Sequence, residues 1–279
     1  MSDADDKYRA LRRLPAFPAI ATKLLRVLSH DDADIRQIVD LIRADAALSS
    51  ELLRIVNSPV YGFPGRVSSI QNAITLLGLQ TVKSFALTVS MKGFLNTALR
   101  LDLLRRLWRH SLACGLLCED LSVVVSTSGG RDDRAYTAGL LHNIGSLGLF
   151  VAHPRSYGEL LGATKSGADL LEREREKFGI DHTEAGGWLA QSWGLPDDIR
   201  QVVINHHDPP GQNGNFDLND LVRVGVLLAE SLGFDVVPPS KGYALADVRS
   251  FLPHTAQYRF DPDPSVMMAR VTERLDAFD

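Results

Sequence analysis

The chain has 279 residues, of which 45% are hydrophobic and 23% charged, with a formal net charge of −4. That balance belongs to an ordinary globular protein with enough chain for one large domain or two moderate ones. It offers no electrostatic case for nonspecific nucleic-acid binding, which calls for a basic face. The opening "MSDADDKYRALRRL" is acidic and then amphipathic, without the apolar core of a signal peptide. No uncharged apolar run is long enough to cross a bilayer, so a cytoplasmic location and no membrane partner are expected.

Taken in chain order, helical spacing keeps recurring and sustained period-two alternation is missing. Ala16 to Ser29 is apolar at Ile20, Leu24, Val27 and Leu28. The next segment opens near Asp34, with Ile35, Ile38, Val39 and Ile42 on one face. "DAALSSELLRIVNS" carries a stripe of Leu48, Leu52, Leu53 and Val56 and stops before Pro59. "SSIQNAITLLGL" reads as a capped helix starting at Ser68 or Ser69, and "QTVKSFALTVSMKGFL" as the next. Leu101 to Val125 is one long helix. "STSGGRDD" breaks the chain, and Asp133 to Val151 carries the stretch "GLLHNIGSLGLF". "HPRSYGELLGATKSGADLLEREREKFG" reads as two helices split near Gly167, with "LEREREKFG" as a solvated charged face. "DHTEAGGWLAQSWG" begins with Asp181 as N-cap and Glu184 three residues on, a capping-box arrangement. "LPDDIRQVVINHH" has Pro196 in its first turn, and "LNDLVRVGVLLAESLG" is a further helix. Beyond Gly233 a Pro-rich joint leads to one or two short helices, including Ser265 to Phe278. Short links between amphipathic helices imply an all-α bundle.

Cys114 and Cys118 share one helix face. Their Cβ atoms are too far apart for an unstrained disulfide, and they read as two buried thiols. Five of the eight histidines lie on or at the ends of helices in the second half: His110, His142, His182, His206 and His207. A neutral imidazole offers one nitrogen lone pair to a divalent metal while its other N–H is held by a neighbour. Bundles gather such ligands from several helices, but spacing alone does not show that these converge. There is no G-x-S-x-G, G-x-G-x-x-G or H-E-x-x-H motif, and in "GATKSGAD" the second glycine is followed by Ala168-Asp169 where a phosphate loop has its Lys-Ser/Thr pair. Trp108, Trp188 and Trp193 read as packing residues. Arg105, Arg106 and Arg109 read as a wet helix face. Asn57-Ser58 reads as a helix cap and turn, with a partner-binding patch as the alternative.

The order of these segments resembles the HD superfamily, and more closely its HDOD branch. The resemblance rests on "LPAFPAIATKLLRVLS", "IVDLIRADAALSSELLRIVNSPVYG", "SSIQNAITLLGLQTVKSFAL", "LWRHSLACGLL", "AYTAGLLHNIGSLGL", "FGIDHTEAGGWLAQSWGLPDDI" and "INHHDPP", from about residue 8 to residue 210. It implies an all-helical fold, with an N-terminal helical bundle (8–100) packed on a degenerate HD-like half (101–234) and followed by a short C-terminal tail (235–279). It also implies a bacterial signalling protein of motility, stress or cyclic-dinucleotide networks. By the same resemblance, His110 and His142 match the first two histidines of HD phosphohydrolases. Asn143 stands where the defining Asp belongs, and His182, His206 and His207 match the added histidines of HD-GYP phosphodiesterases. The late acid falls near Ala229-Glu230, and the Gly-Tyr-Pro signature is replaced by "DPPGQNGNF".

Asn143 decides between the readings. An ionised Asp brings charge and two strong oxygen ligands, whereas Asn brings one neutral oxygen. Hydrolysis on this fold needs a metal to make hydroxide and to offset phosphate charge. The leading expectation is a non-catalytic signalling module that binds a protein partner, a nucleotide or another small molecule, with no catalytic residues and no cofactor. The alternatives are a metal-dependent phosphohydrolase, and a protein that binds metal without turnover. Their candidate ligands are His110, His142, Asn143, His182, His206, His207 and Glu230, and the ion would be iron, zinc, manganese or magnesium.

Overall fold

The apolar spacing is realised as helices, and no strand forms among the described residues. The computed structural model describes residues 7–28, 35–95, 101–127, 130–210, 216–239, 242–260 and 263–278. Asp34 and His30 lie outside them.

The N-terminal part contains α1 (Ala19–Leu28), α2 (Ile35–Arg43), α3 (Ala46–Val56), α4 (Ile70–Leu77) and α5 (Leu79–Leu95). Asp45 caps α3 by accepting from the Leu48 amide, and Ser69 caps α4 by accepting from Asn72. α5 is the axis of this part, touched by α1, α3 and α4. Its inner face, Val82, Phe85, Ala86 and Leu87, is buried.

The second part is built on α6 (Asp102–Val125), whose Leu104, Leu107, Trp108, Leu112, Leu117 and Leu121 are buried. Each such leucine contributes about 1.5–3 kcal/mol. Next come α7 (Ala135–Leu141), α8 (Ile144–Ala152), α9 (Pro154–Ala163), α10 (Leu170–Phe178), α11 (His182–Ser192), α12 (Asp197–Asn205) and α13 (Leu218–Ser231). The closest neighbours are α6 with α7, α8 with α11, and α6 with α13. "GLLHNIGSLGLF" is not one helix. Asn143 leaves helical geometry at φ −108°, ψ 27°, and α8 begins after it. Asn is a weak helix former and a good first-turn flanking residue, and the His142 ring takes the Gly139 carbonyl that would otherwise continue the ladder.

Among its described residues the tail forms three helices rather than one or two: α14 (Leu245–Ser250), α15 (His254–Gln257) and α16 (Pro264–Asp276). Pro253 and the Asp263-Pro264 pair each interrupt the chain and start a new helix. α16 lies on α6 through ion pairs. Arg274 meets Glu119 and Asp120, Arg270 meets Asp120 at 2.7 Å, and Arg109 meets Asp276 at 3.1 Å. Phe278 then packs edge-on against Phe85 of α5, and Arg54 of α3 donates to the Ala277 carbonyl. One apolar core thus runs from the first part through the second to the tail.

Glycines set how closely the second-half helices approach, and two of them meet backbone atoms of the facing helix. A Cβ on Gly139 of α7 would lie 2.7 Å from the Cys114 carbonyl oxygen of α6. A Cβ on Gly145 of α8 would lie 1.8 Å from the His182 carbonyl oxygen of α11. Gly145→Ala therefore pushes α8 and α11 apart, with an expected loss of about 1–3 kcal/mol or more in urea unfolding. Gly162→Ala, at a position with nothing within 4 Å of an added Cβ, is the control and is expected to change stability by under about 1 kcal/mol.

Candidate functional site

The same close approaches bring all five helical histidines together. α6 supplies His110, the end of α7 supplies His142, and the start of α11 supplies His182. His206 caps the end of α12, and His207 follows it. Ring centroids form a continuous chain: His110 to His142 5.3 Å, His142 to His206 5.1 Å, His206 to His182 5.3 Å and His206 to His207 4.3 Å. They border a cavity of about 60 Å³ that Asn143 and Glu230 also line.

Hydrogen bonds orient four of these rings. His110 Nδ1 donates to the Phe234 carbonyl at 2.8 Å, His142 Nδ1 to the Gly139 carbonyl at 2.6 Å, and His206 Nδ1 to the Val203 carbonyl at 2.9 Å. A carbonyl only accepts, so each Nδ1 carries its proton and each Nε2 keeps its lone pair. His182 Nδ1 donates to Glu174 Oε2 at 2.7 Å. The His182 Nε2 then lies 2.8 Å from His207 Nε2 and 3.3 Å from His206 Nε2. Bare lone pairs repel at such distances, so this trio calls for a shared proton or a cation.

Glu174 corrects the expectation of a fully solvated "LEREREKFG" face. It is completely buried, accepting from the His182 ring, from the His182 backbone N–H at 2.9 Å and from Tyr157 Oη at 2.6 Å. Its signal in the sequence is the four-residue step from Leu170, which puts both on the inner face of α10.

The ligand atoms fall into two groups, each within 4.8 Å: His110, Cys114 and His142, and separately His182, His206 and His207. No carboxylate joins either group among the described residues. Asn143 Oδ1 is buried without a hydrogen-bond partner. Glu230 sits on the cavity wall, and burial raises its carboxyl above the usual range despite Arg223.

Burial holds most of the rings neutral. It is the largest cause of the fall of His142 to about 3, reinforced by His110, and it also lowers His110, His206 and His207. His182 goes the other way. Burial lowers it, but the charge and hydrogen bond of Glu174 outweigh that and raise it.

The remaining candidates lie elsewhere. Asn57 clips the following loop, donating to the Leu53 and Val67 carbonyls at 2.7 and 2.8 Å and accepting from the Val67 amide at 2.8 Å. Ser58 Oγ is buried beside it without a hydrogen-bond partner. Trp108 is buried, Trp188 stacks on Tyr8 at 5.4 Å, and Trp193 stacks on Phe17 at 4.8 Å. Arg105 pairs with Asp102, Arg106 donates to the Asp235 and Val236 carbonyls, and Arg109 pairs with Asp276. Cys114 and Cys118 are free, buried thiols. No helix among the described residues is long and apolar enough to cross a membrane.

A model of the HDOD domain matches residues 14–209. An uncharacterized protein of Treponema pallidum (strain Nichols) is 27% identical over 200 residues, which is 71% of this chain and 38% of that protein. The uncharacterized protein YuxH of Bacillus subtilis (strain 168) is 33% identical over 209 residues, 72% of this chain and 39% of that one. The match thus spans less than half the length of these curated relatives. An HDOD domain protein of unknown function from Geobacter sulfurreducens superposes with a TM-score of 0.68 at 21% identity, covering 99% of this chain and 98% of that one. A protein from Shewanella amazonensis SB2B, proposed to be a phosphohydrolase, gives 0.69 at 20%, covering 98% and 96%. One from Marinobacter aquaeolei VT8, proposed to act in signal transduction, gives 0.68 at 20%, covering 99% and 65%. These likenesses establish the fold.

The titration of the rings sets a pH dependence for metal-free protein. The folded state keeps His110, His142, His206 and His207 neutral below the ordinary value near 6.5, while the unfolded chain takes up protons there. Their contribution is complete above about pH 6.5 and is lost as pH falls, for His142 until about pH 3. Each ring adds up to about 1.4 kcal/mol per pH unit. His182 has the opposite sign: its contribution is complete below its unfolded value and is lost as pH rises through its raised folded one. Four shifts against one predict a net fall in unfolding free energy between pH 7 and pH 5. Urea unfolding of chelator-treated protein should show it, with a shallower slope in His142→Gln.

Proposed function

The chain belongs to the HDOD family, and we propose that it is a signalling protein acting by binding rather than by hydrolysis, with a divalent cation held among His182, His206 and His207. The observation that carries this reading is the ligand set: two groups of side chains, all buried but the exposed His207, and not one carboxylate oxygen among their members in the described residues. Asn143 lines the cavity with a neutral amide where the resemblance calls for an anionic ligand. A metal that activates water for phosphodiester attack needs both a firm hold and an open position.

The size of the cavity supports the same reading. About 60 Å³ accommodates an ion or two waters at about 30 Å³ each, whereas small-molecule sites begin at about 300 Å³. The imidazole trio suits zinc or iron rather than magnesium. In this reading the cation replaces the proton that the facing lone pairs would otherwise share, and stabilises the packing of α10, α11 and α12. The output passes to a protein partner, in a motility, stress or cyclic-dinucleotide network. A second reading, a metal-dependent phosphohydrolase, draws support from the convergence of all five histidines on one cavity.

Metal analysis of the purified chain, followed by assays on a cyclic dinucleotide and a generic phosphodiester with iron, zinc, manganese or magnesium, separates the two. The expected outcome is bound metal and no turnover. Turnover that disappears in His142→Ala would overturn the proposal in favour of the hydrolase. Asn143→Asp is expected to strengthen metal retention against a chelator by at least about tenfold, because it restores a charged oxygen donor to the cavity.

A further inference from the structure

We propose that α16 and the groove beside it form a two-fold interface between two copies of this chain, with α16 of one copy lying antiparallel on α16 of the other about Val266. The inference rests neither on the histidine cavity nor on a bound cation. It starts from a helix that has more apolar residues than it buries. In "PSVMMARVTERLD" the apolar side chains are Val266, Met267, Met268, Ala269, Val271 and Leu275, and of these only Val271 and Leu275 are buried. Val266 is 65% exposed, Ala269 is exposed, and Met267 and Met268 are half-buried.

That surplus lies beside a recess. A groove of about 420 Å³ runs between α16, the last turns of α6 and α13, lined by Leu117, Leu121, Leu228, Phe260 and Met267. Five large hydrophobic side chains are exposed among the described residues. Val123 and Val266 line this groove, and Tyr258, 82% exposed, is next in the chain to its Arg259 wall. Single exposed apolar side chains are ordinary, but three at the margin of one apolar groove mark a docking surface.

Charge selects the occupant. Asp263 caps the start of α16 by accepting from the Ser265 and Val266 amides, and it has no ion pair among the described residues. Two turns on, Arg270 belongs to a cluster in which Arg131, Arg270 and Arg274 share two carboxylates, Glu119 and Asp120, so one positive charge is left over. Val266 lies three residues after Asp263 and four before Arg270, about 4.5 and 6 Å along the helix axis. A two-fold axis through Val266 therefore sets Asp263 of each copy opposite Arg270 of the other, with the apolar residues between them. An isologous contact requires this self-complementarity. A partner of one uniform charge would be attracted at one end of the face and repelled at the other. The face is also rigid, because the ion pairs to α6 and buried Leu275 already hold α16, so little ordering is needed on association.

Sedimentation velocity of the full chain over a concentration series tests the interface. The wild type should pass from monomer to dimer as concentration rises, equally with and without a chelator, which separates this result from metal binding. Val266→Asp should stay monomeric with unchanged helicity and melting temperature. Leu76→Asp, at an exposed leucine of α4, should dimerise like the wild type. Asp263→Asn keeps a capping acceptor and removes the charge, and Arg270→Gln removes its counterpart. Each should raise the dimer dissociation constant by about two- to tenfold, and less at high salt. Cross-linking reads the register, since Cys114 and Cys118 are buried. Under mild oxidation Val266→Cys, near the axis, should form a disulfide-linked dimer, and Glu273→Cys, about 10 Å further along α16, should not.

A wild type that stays monomeric at every concentration overturns the proposal, and the face then serves a different protein or an amphiphilic small molecule. A dimer that Val266→Asp leaves intact overturns it as well. Cross-linking of Glu273→Cys as readily as Val266→Cys refutes the antiparallel arrangement. Should Val266→Asp fail to fold, the Val266→Cys cross-link decides the matter: its formation supports the interface and its absence refutes it.

Discussion

Four imidazoles in this protein have no freedom over which nitrogen carries the proton. Three Nδ1 atoms face backbone carbonyls, and the fourth faces the buried Glu174 carboxylate. Everything proposed for the site follows from that commitment, because it turns the Nε2 lone pairs toward one another around a cavity of about 60 Å³. Leaving them there without a proton or a cation is costly in a buried setting. The local carbonyls do this cheaply. Gly139 lies three residues before His142, and Val203 three before His206, so each helix end orients its own ring.

The rest of the fold keeps those rings at contact distance. Gly139 allows α7 to lie against α6 at the level of Cys114, and Gly145 allows α8 to touch the first residue of α11. His182 is held twice by Glu174, through its ring and its backbone. The tail closes the second half from the far side, with α16 paired to α6 through buried Glu119 and Phe278 set into the core of the first part. A change in the tail is therefore felt on α6, the helix that carries His110 and Cys114. That connection is a physical link between the surface and the buried cluster.

Much of this was legible in the sequence. Helix positions followed from apolar spacing, the Asp181 capping box from its chemistry, and the order of His110, His142, His182, His206 and His207 from the family resemblance. The parts that were not legible depend on direction. The helical phase that buries Glu174 is hidden inside a run of charges, and composition argues for exposure. Cys114 reads as a packing thiol until the His110 ring is seen to face it. The break at His142-Asn143 comes from a side chain competing for a carbonyl, which apolar periodicity does not register. The tail departs most from expectation, because proline-marked breaks divide it, and of its helices α16 is tied to α6 by ion pairs that apolar spacing does not register.

The central claim is the fixed tautomer of the cluster, and nitrogen-15 NMR of the imidazoles in metal-free protein at neutral pH tests it most directly. The account predicts Nδ1-protonated rings for His110, His142 and His206, with unprotonated Nε2 atoms facing the cavity. Finding these three rings with the proton on Nε2 would contradict it, since the lone pairs would then point at carbonyl oxygens and no converging donor set would exist.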